Sequence, residues 1–271
     1  AVTGDGVNDV PALKAADLGI AMGKGTEAAK AASKMILVEN DFSVIIDAIK
    51  QGRGIADNLR KVIYYLASTC LAQIGLLSGS ILLGLPLPLF PVQILWINLV
   101  ADGVLDKTFP FIKEEQGIMD RPPQKPEKQF FNQGQMFRIL YAGVIQALLY
   151  LATFLYLLRH GIDYHLAVTV IFITVVLCQW LNGIQSQKER EPFFKNIKTS
   201  LTINSAIWIG LSAGVVLQSI ALSLGGNIFE TVPLTRAELP FIAIPCVLFF
   251  LAIELRKRIE SIPAVDRWLA R

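Results

Sequence analysis

Cysteine is scarce in this 271-residue chain: Cys70, Cys178 and Cys246 stand far apart in apolar surroundings. That spacing excludes a disulfide framework and a CxxC-type metal site. Charge is also thin. Only 17% of residues are charged, against the roughly 25% usual in soluble domains, and the net charge is +3. No long basic run is present, so nothing points to nucleic acid. Internal repeats and low-complexity tracts are missing too, as are a starting methionine, a basic leader region and a signal-type cleavage site. The opening Ala1-Val2-Thr3-Gly4-Asp5 reads as the edge of a longer chain. What is abundant is apolar surface: 53% of residues are hydrophobic, and the mean hydropathy of +0.51 puts much of the chain in lipid.

The first 61 residues differ from the rest. They hold eight spread basic residues, from Lys14 to Lys61, and the mixed pattern of a soluble α/β segment. From Val62 onward, stretches of the roughly 20 apolar residues needed to cross a bilayer recur. Six are expected, near 62–84, 89–111, 138–158, 165–185, 201–224 and 238–255. The second differs in carrying Asp102, Asp106 and Lys107. Loop charges set the expected orientation. Lys113, Arg121, Lys125, Lys128 and Arg138 crowd one loop, Lys188, Arg190, Lys195 and Lys198 another, and Arg256, Lys257, Arg258, Arg267 and Arg271 the tail. The opposite side has Arg159 and Arg236. The positive-inside rule then puts both termini in the cytoplasm of a multi-pass membrane protein.

The sharpest local signal is Thr3-Gly4-Asp5-Gly6-Val7-Asn8-Asp9. Asp5 and Asp9 can offer hard oxygen ligands to Mg²⁺, and Asn8 with the loop amides can hold phosphate oxygens. An Asx-rich turn capping a helix that starts near Val10-Pro11 fits the same residues. Downstream, Leu18–Gly23 reads as a buried strand, Gly25–Lys30 opens a helix, and Met35–Val38 is another strand. That alternation suits an open α/β sheet with its ligand site at the carboxyl ends of the strands.

In the second membrane segment Asn98 and Asp102 are spaced i, i+4 and share a helical face. Counting from a turn near Leu87 puts Asp102 and Gln73 at the same depth, roughly 20 Å from the turn. Ionisable groups in hydrocarbon are costly and mark function by default. Asp106-Lys107 admits two readings, a local pair with Lys107 snorkelling to the interface or an internal cation that alters ion choice. His160 and His165 read as interfacial. Gln146, Gln179, Asn182 and Gln218 read as interhelical partners, and Tyr64, Tyr65 and the tryptophans as interface anchors and packing. Between Ser43 and Leu83 no proline occurs, so one long helix is expected unless Gly52 and Gly54 break it in two.

TGDGVNDVPALKAADLGIAMG, a helical linker, a membrane hairpin ending in PVQILWINLVADG, and Met119-Asp120-Arg121-Pro122-Pro123 together resemble the carboxyl-terminal third of P-type cation-transporting ATPases, calcium-pump branch. The resemblance implies a mixed fold: a partial α/β, haloacid-dehalogenase-like phosphorylation domain over 1–41, a helical stalk over 42–61, six transmembrane helices over 62–258, and a tail over 259–271. It makes Asp5 the Mg²⁺-coordinating aspartate, with Asp9 and Asn8 supporting metal and phosphoryl group and Thr3, Gly4 and Gly6 shaping the loop. ATP, Mg²⁺, upstream domains, membrane lipid and a transported cation are the implied partners. Asn98 and Asp102 match calcium ligands of the family. Gln73, Cys70 and Ala101 replace its glutamate, asparagine and threonine, and no glutamate near 174–182 matches a further ligand; Gln179 is a neutral candidate. One ion site is implied, for Ca²⁺ or Mn²⁺, completed by a glutamate upstream. The phosphorylated aspartate of the DKTGT motif is absent; Asp106-Lys107-Thr108 is a chance likeness in a membrane segment. The chain alone is therefore expected not to hydrolyse ATP. The alternatives are a non-catalytic membrane module, a pump for a monovalent cation, and a secondary transporter or channel.

Overall fold

A computed structural model describes residues 1–39, 41, 43–114, 117–120, 133–188, 191–224 and 226–262. Arg121-Pro122-Pro123, Phe42, and the basic residues Lys125, Lys128, Arg190, Arg267 and Arg271 lie outside the described residues, as does Trp268.

The chain divides into two units. The first comprises 1–54 with residues 117–120. Its strands β1 (Val2–Gly4), β2 (Gly19–Met22) and β3 (Met35–Leu37) form a parallel sheet in that order, with Thr3 opposite Ile20 and Ala21 opposite Ile36. Parallel strands need crossovers, and short helices α1 (Val10–Ala15) and α2 (Glu27–Ala32) provide them. Pro11 sits in the first turn of α1, where its missing N–H costs nothing, and Thr26 caps α2 by accepting from the Ala29 amide at 3.3 Å. Leu13, Ala21 and Ala29 form the small core. Strand positions agree with the sequence expectation to within a residue or so.

Helix α3 (Ser43–Leu82) is continuous for 40 residues and passes through Gly52 and Gly54 unbroken. In the second unit it is followed by α4 (Pro91–Trp96), a π-helical turn at Ile97–Asp102, and α5 (Gly103–Asp106). Then come α6 (Gln133–Arg159), α7 (Tyr164–Ser186), α8 (Ile197–Thr202), α9 (Ala206–Leu224), α10 (Gly226–Phe229) and α11 (Leu239–Glu260). Among the described residues, five helices are long and apolar enough to span a membrane: α3, α6, α7, α9 and α11. The sixth expected stretch, 89–111, is apolar but is divided among α4, the π turn and α5. Its division, not its hydropathy, separates it from the other five.

The bundle core is built on α7, which packs most extensively on α11 and then on α6. Val168, Ile171, Phe172, Val175 and Val176 are all buried there. Several polar groups in the bundle find partners across helices. Asn182 donates to the Ser68 hydroxyl at 2.8 Å, and the Trp96 indole donates to Gln218 at 2.8 Å. At the start of α6, buried Arg138 donates to Glu260 Oε2 at 2.8 Å, and Arg256 holds the other oxygen at 3.0 Å. This shared carboxylate ties α6 to α11, and removing one member would strand a buried charge.

Candidate functional site

The first site lies at the carboxyl end of the small sheet. After β1 the chain turns at Asp5-Gly6 into a 3₁₀ turn at Val7–Asp9 that leads directly into α1. Asp9 folds back over this turn, and its Oδ2 accepts the amides of Asp5 and Gly6, each at 3.0 Å. Gly4 makes that approach possible, because a Cβ there would stand 2.5 Å from the Asp9 Cβ. On the other side, the Asp5 carbonyl accepts from the Thr26 amide at 2.8 Å. Gly25 packs so closely that a Cβ on it would be 3.1 Å from the Asp5 Cα. The Asp5 backbone is thus fixed from both sides by loops at the ends of neighbouring strands. Its carboxylate is exposed, as are Thr3 and Asn8.

The roles of the two aspartates separate on this geometry. Asp9 is a clamp through one oxygen, and Asp5 presents a carboxylate at the strand end. The amides of Gly6 and Asp5 hold the Asp9 carboxyl below the ordinary carboxylate range. The clamp therefore contributes in full above about pH 4 and is lost as pH falls through the lowered value. Hydrogen exchange of the Asp5 and Gly6 amides should accelerate over that acid window, relative to intrinsic rates, and Asp9→Ala should remove their extra protection at neutral pH.

The second site faces α3. Tyr65 donates its hydroxyl to Asp102 Oδ1 at 2.7 Å, and both residues are buried. Thr69, one turn along α3, also faces that carboxylate. One further turn along, the Gln73 amide donates to Asn98 Oδ1 at 3.2 Å. Tyr65, Thr69 and Gln73 recur at i, i+4, i+8 and so form one polar stripe on α3. Asn98 and Asp102 both lie in the π turn, whose wider winding is frequent at functional sites. Asn98 is exposed, so the constellation is open on that side.

Two expectations change here. Gln73 does not sit level with Asp102; it pairs with Asn98, and Tyr65, two turns away on α3, holds Asp102. Counting from a turn at Leu87 assumed one regular helix, whereas helix begins at Pro91 and the π turn takes an extra residue per turn. Tyr65, expected as an anchor or packing residue, is instead a partner of the acidic group. The four-residue recurrence with Thr69 and Gln73 places it on the polar stripe, but that spacing alone does not separate a partner from an anchor.

Other candidates lie apart from this set. Lys107 pairs with neighbouring Asp106 at 2.9 Å and its side chain is 79% exposed, which fits the local-pair reading. Gln179 is buried on α7, and neither polar atom of its side chain has a hydrogen-bond partner among the described residues. His160 bonds the Tyr156 carbonyl and stacks on its ring. Among the described residues, no group of three or more His, Cys, Asp and Glu could hold a metal by side chains of those types alone.

Residues 86–259 match the family described as cation transporting ATPase, C-terminus, and residues 1–49 match haloacid dehalogenase-like hydrolase. A calcium-transporting ATPase of Bacillus subtilis (strain 168) is 35% identical over 95% of this chain and 29% of its own length. A probable calcium-transporting ATPase of Trypanosoma brucei brucei is 43% identical over 61% of this chain and 16% of its own. The chain spans less than a third of the length of these relatives. With the strand-end aspartate loop in the first unit and the polar π turn in the second, the chain belongs to the P-type cation-transporting ATPases and corresponds to their carboxyl-terminal region.

Proposed function

We propose that this chain supplies, within a complete ATP-driven pump, the magnesium end of the phosphorylation site and part of the path of the transported cation. The observation that carries the reading is the Asp102 carboxylate buried at the π turn, with Asn98 one turn away and a polar stripe facing both. A dehydrated cation needs several oxygen ligands, and a buried carboxylate is otherwise costly in hydrocarbon. Asn98, Asp102 and Gln73 contribute ligands for one ion, Ca²⁺ or Mn²⁺, and a glutamate from an upstream helix completes the set. The names of the two relatives support calcium. The divided stretch 89–111 counts as the sixth span, and both termini face the cytoplasm.

In the first unit, the fit for Mg²⁺ rests on Asp5: an exposed carboxylate on a backbone fixed by Asp9 and Thr26, at the strand ends where phosphate ligands bind in such sheets. Bound there, the metal would neutralise charge on a phosphoryl group held by an upstream aspartate. Asp5 orients its carboxylate toward that position, Asp9 keeps the loop closed, and Asn8 with the loop amides binds phosphoryl oxygens. ATP is held largely by the upstream domains.

Tyr65→Phe tests the membrane half. Loss of a hydrogen bond to a charged acceptor, about 1.5–3 kcal/mol, predicts roughly 10-fold or greater weakening of apparent Ca²⁺ affinity in the full-length pump. Calcium-activated ATP hydrolysis measured across a calcium titration checks it; an unchanged midpoint would remove Tyr65 from the site.

A further inference from the structure

We infer that Cys178 and Cys246 form a dithiol that closes to a disulfide inside the membrane bundle, with a lipid-soluble quinone as the oxidant. Two of the three cysteines meet here: Cys178 on α7 and Cys246 on α11 are both buried, and their sulfurs lie 3.6 Å apart. The helices that carry them form the most extensive packing in the bundle, so the sulfurs are held together by their elements. Closing to a disulfide length requires about 1.5 Å of approach. Pro245, immediately before Cys246 and within α11, removes one backbone hydrogen bond of that helix and lets it yield at this point. The neighbourhood is not wholly apolar. Tyr150, which donates to Gln146 Oε1 at 2.9 Å, also stands near Cys178.

Burial decides the class of oxidant. Water-borne disulfides and glutathione do not partition into hydrocarbon, whereas a quinone does, and Cys246, 7% exposed against 0% for Cys178, is the sulfur it would meet first. Both S–H bonds break and one S–S bond forms. The two sulfurs together lose two electrons and two protons, and the quinone takes up both to leave as the hydroquinone. The product staples α7 to α11.

The test uses the full-length protein in membrane vesicles treated with decylubiquinone, whose substituted ring disfavours uptake of thiols by addition. After denaturation in an alkylating agent and proteolysis, mass spectrometry should find the Cys178 peptide linked to the Cys246 peptide. The linked pair should be at least 10-fold enriched over untreated vesicles and lost on adding dithiothreitol. Oxidised glutathione should leave both thiols free. Cys178→Ser and Cys246→Ser should each abolish the link; because the link itself is read in the unaltered protein, misfolding of a variant leaves the test intact. Recovery of both cysteines as free alkylated thiols after quinone treatment would overturn the inference. So would linkage of either one to another cysteine, or equal linkage by oxidised glutathione.

Discussion

Asp102→Asn in the full-length pump is expected to lower apparent Ca²⁺ affinity by about 100-fold or more. The substitution is nearly isosteric. The amide oxygen of asparagine can still accept from Tyr65, whose hydroxyl lies 2.7 Å from Asp102 Oδ1, so α3 and the π turn keep their contact. What disappears is a full negative charge at a buried position, where on the proposed function the compensating charge would be the cation itself. A loss of about 3 kcal/mol in ligand binding corresponds to roughly 100-fold, and the cost of an unneutralised aspartate in a membrane segment is of that order. Calcium uptake into vesicles, titrated with free Ca²⁺, reads the effect. Asn98→Ala should act in the same direction but less strongly, because it removes a proposed neutral ligand and leaves the charge.

Asp5→Ala is expected to reduce ATP turnover of the full-length pump by about 1,000-fold, the scale seen when one preorganised electrostatic group is removed from a reacting centre. The fold should survive. The Asp5 backbone holds the loop, through its amide to Asp9 and its carbonyl to Thr26. Its exposed carboxylate makes no hydrogen bond or ion pair among the described residues. Asp9→Ala should differ in kind: it frees two amides and loosens the turn, so activity and local hydrogen-exchange protection should fall together. Circular dichroism alongside steady-state ATPase assays separates the two, with Asp5→Ala showing lost turnover at unchanged helix content.

These contrasts also show what the sequence carried. The loop at Thr3–Asp9 was legible because its glycines and acidic residues fall within a few positions, and the alternation of short apolar runs with alanine-rich stretches gave the parallel sheet. Long membrane helices were legible from apolar length alone. The π turn was not, because Ile97–Asp102 is no less apolar than an α-helical stretch, and hydropathy does not register an extra residue per turn. That change of winding also upset the depth count that paired Gln73 with Asp102. Tyr65 was hidden for a different reason. A tyrosine beside another tyrosine near a membrane boundary suits an interfacial anchor equally well, and only a facing carboxylate distinguishes the two. The clamp role of Asp9 depends on a three-dimensional return of its side chain to the Asp5 and Gly6 amides, which composition cannot express. Cys178 and Cys246, 68 residues apart, carried no sequence signal of their meeting.

Phosphoenzyme formation by the full-length protein, from labelled ATP with Ca²⁺, Mn²⁺, Na⁺ or K⁺ as the added cation, tests the cation site most directly. Phosphorylation should be activated by low concentrations of Ca²⁺ or Mn²⁺ and by neither monovalent ion, with that activation lost in Asp102→Asn. Activation by Na⁺ or K⁺, or an Asp102→Asn protein with the unaltered cation dependence, would contradict the proposed site.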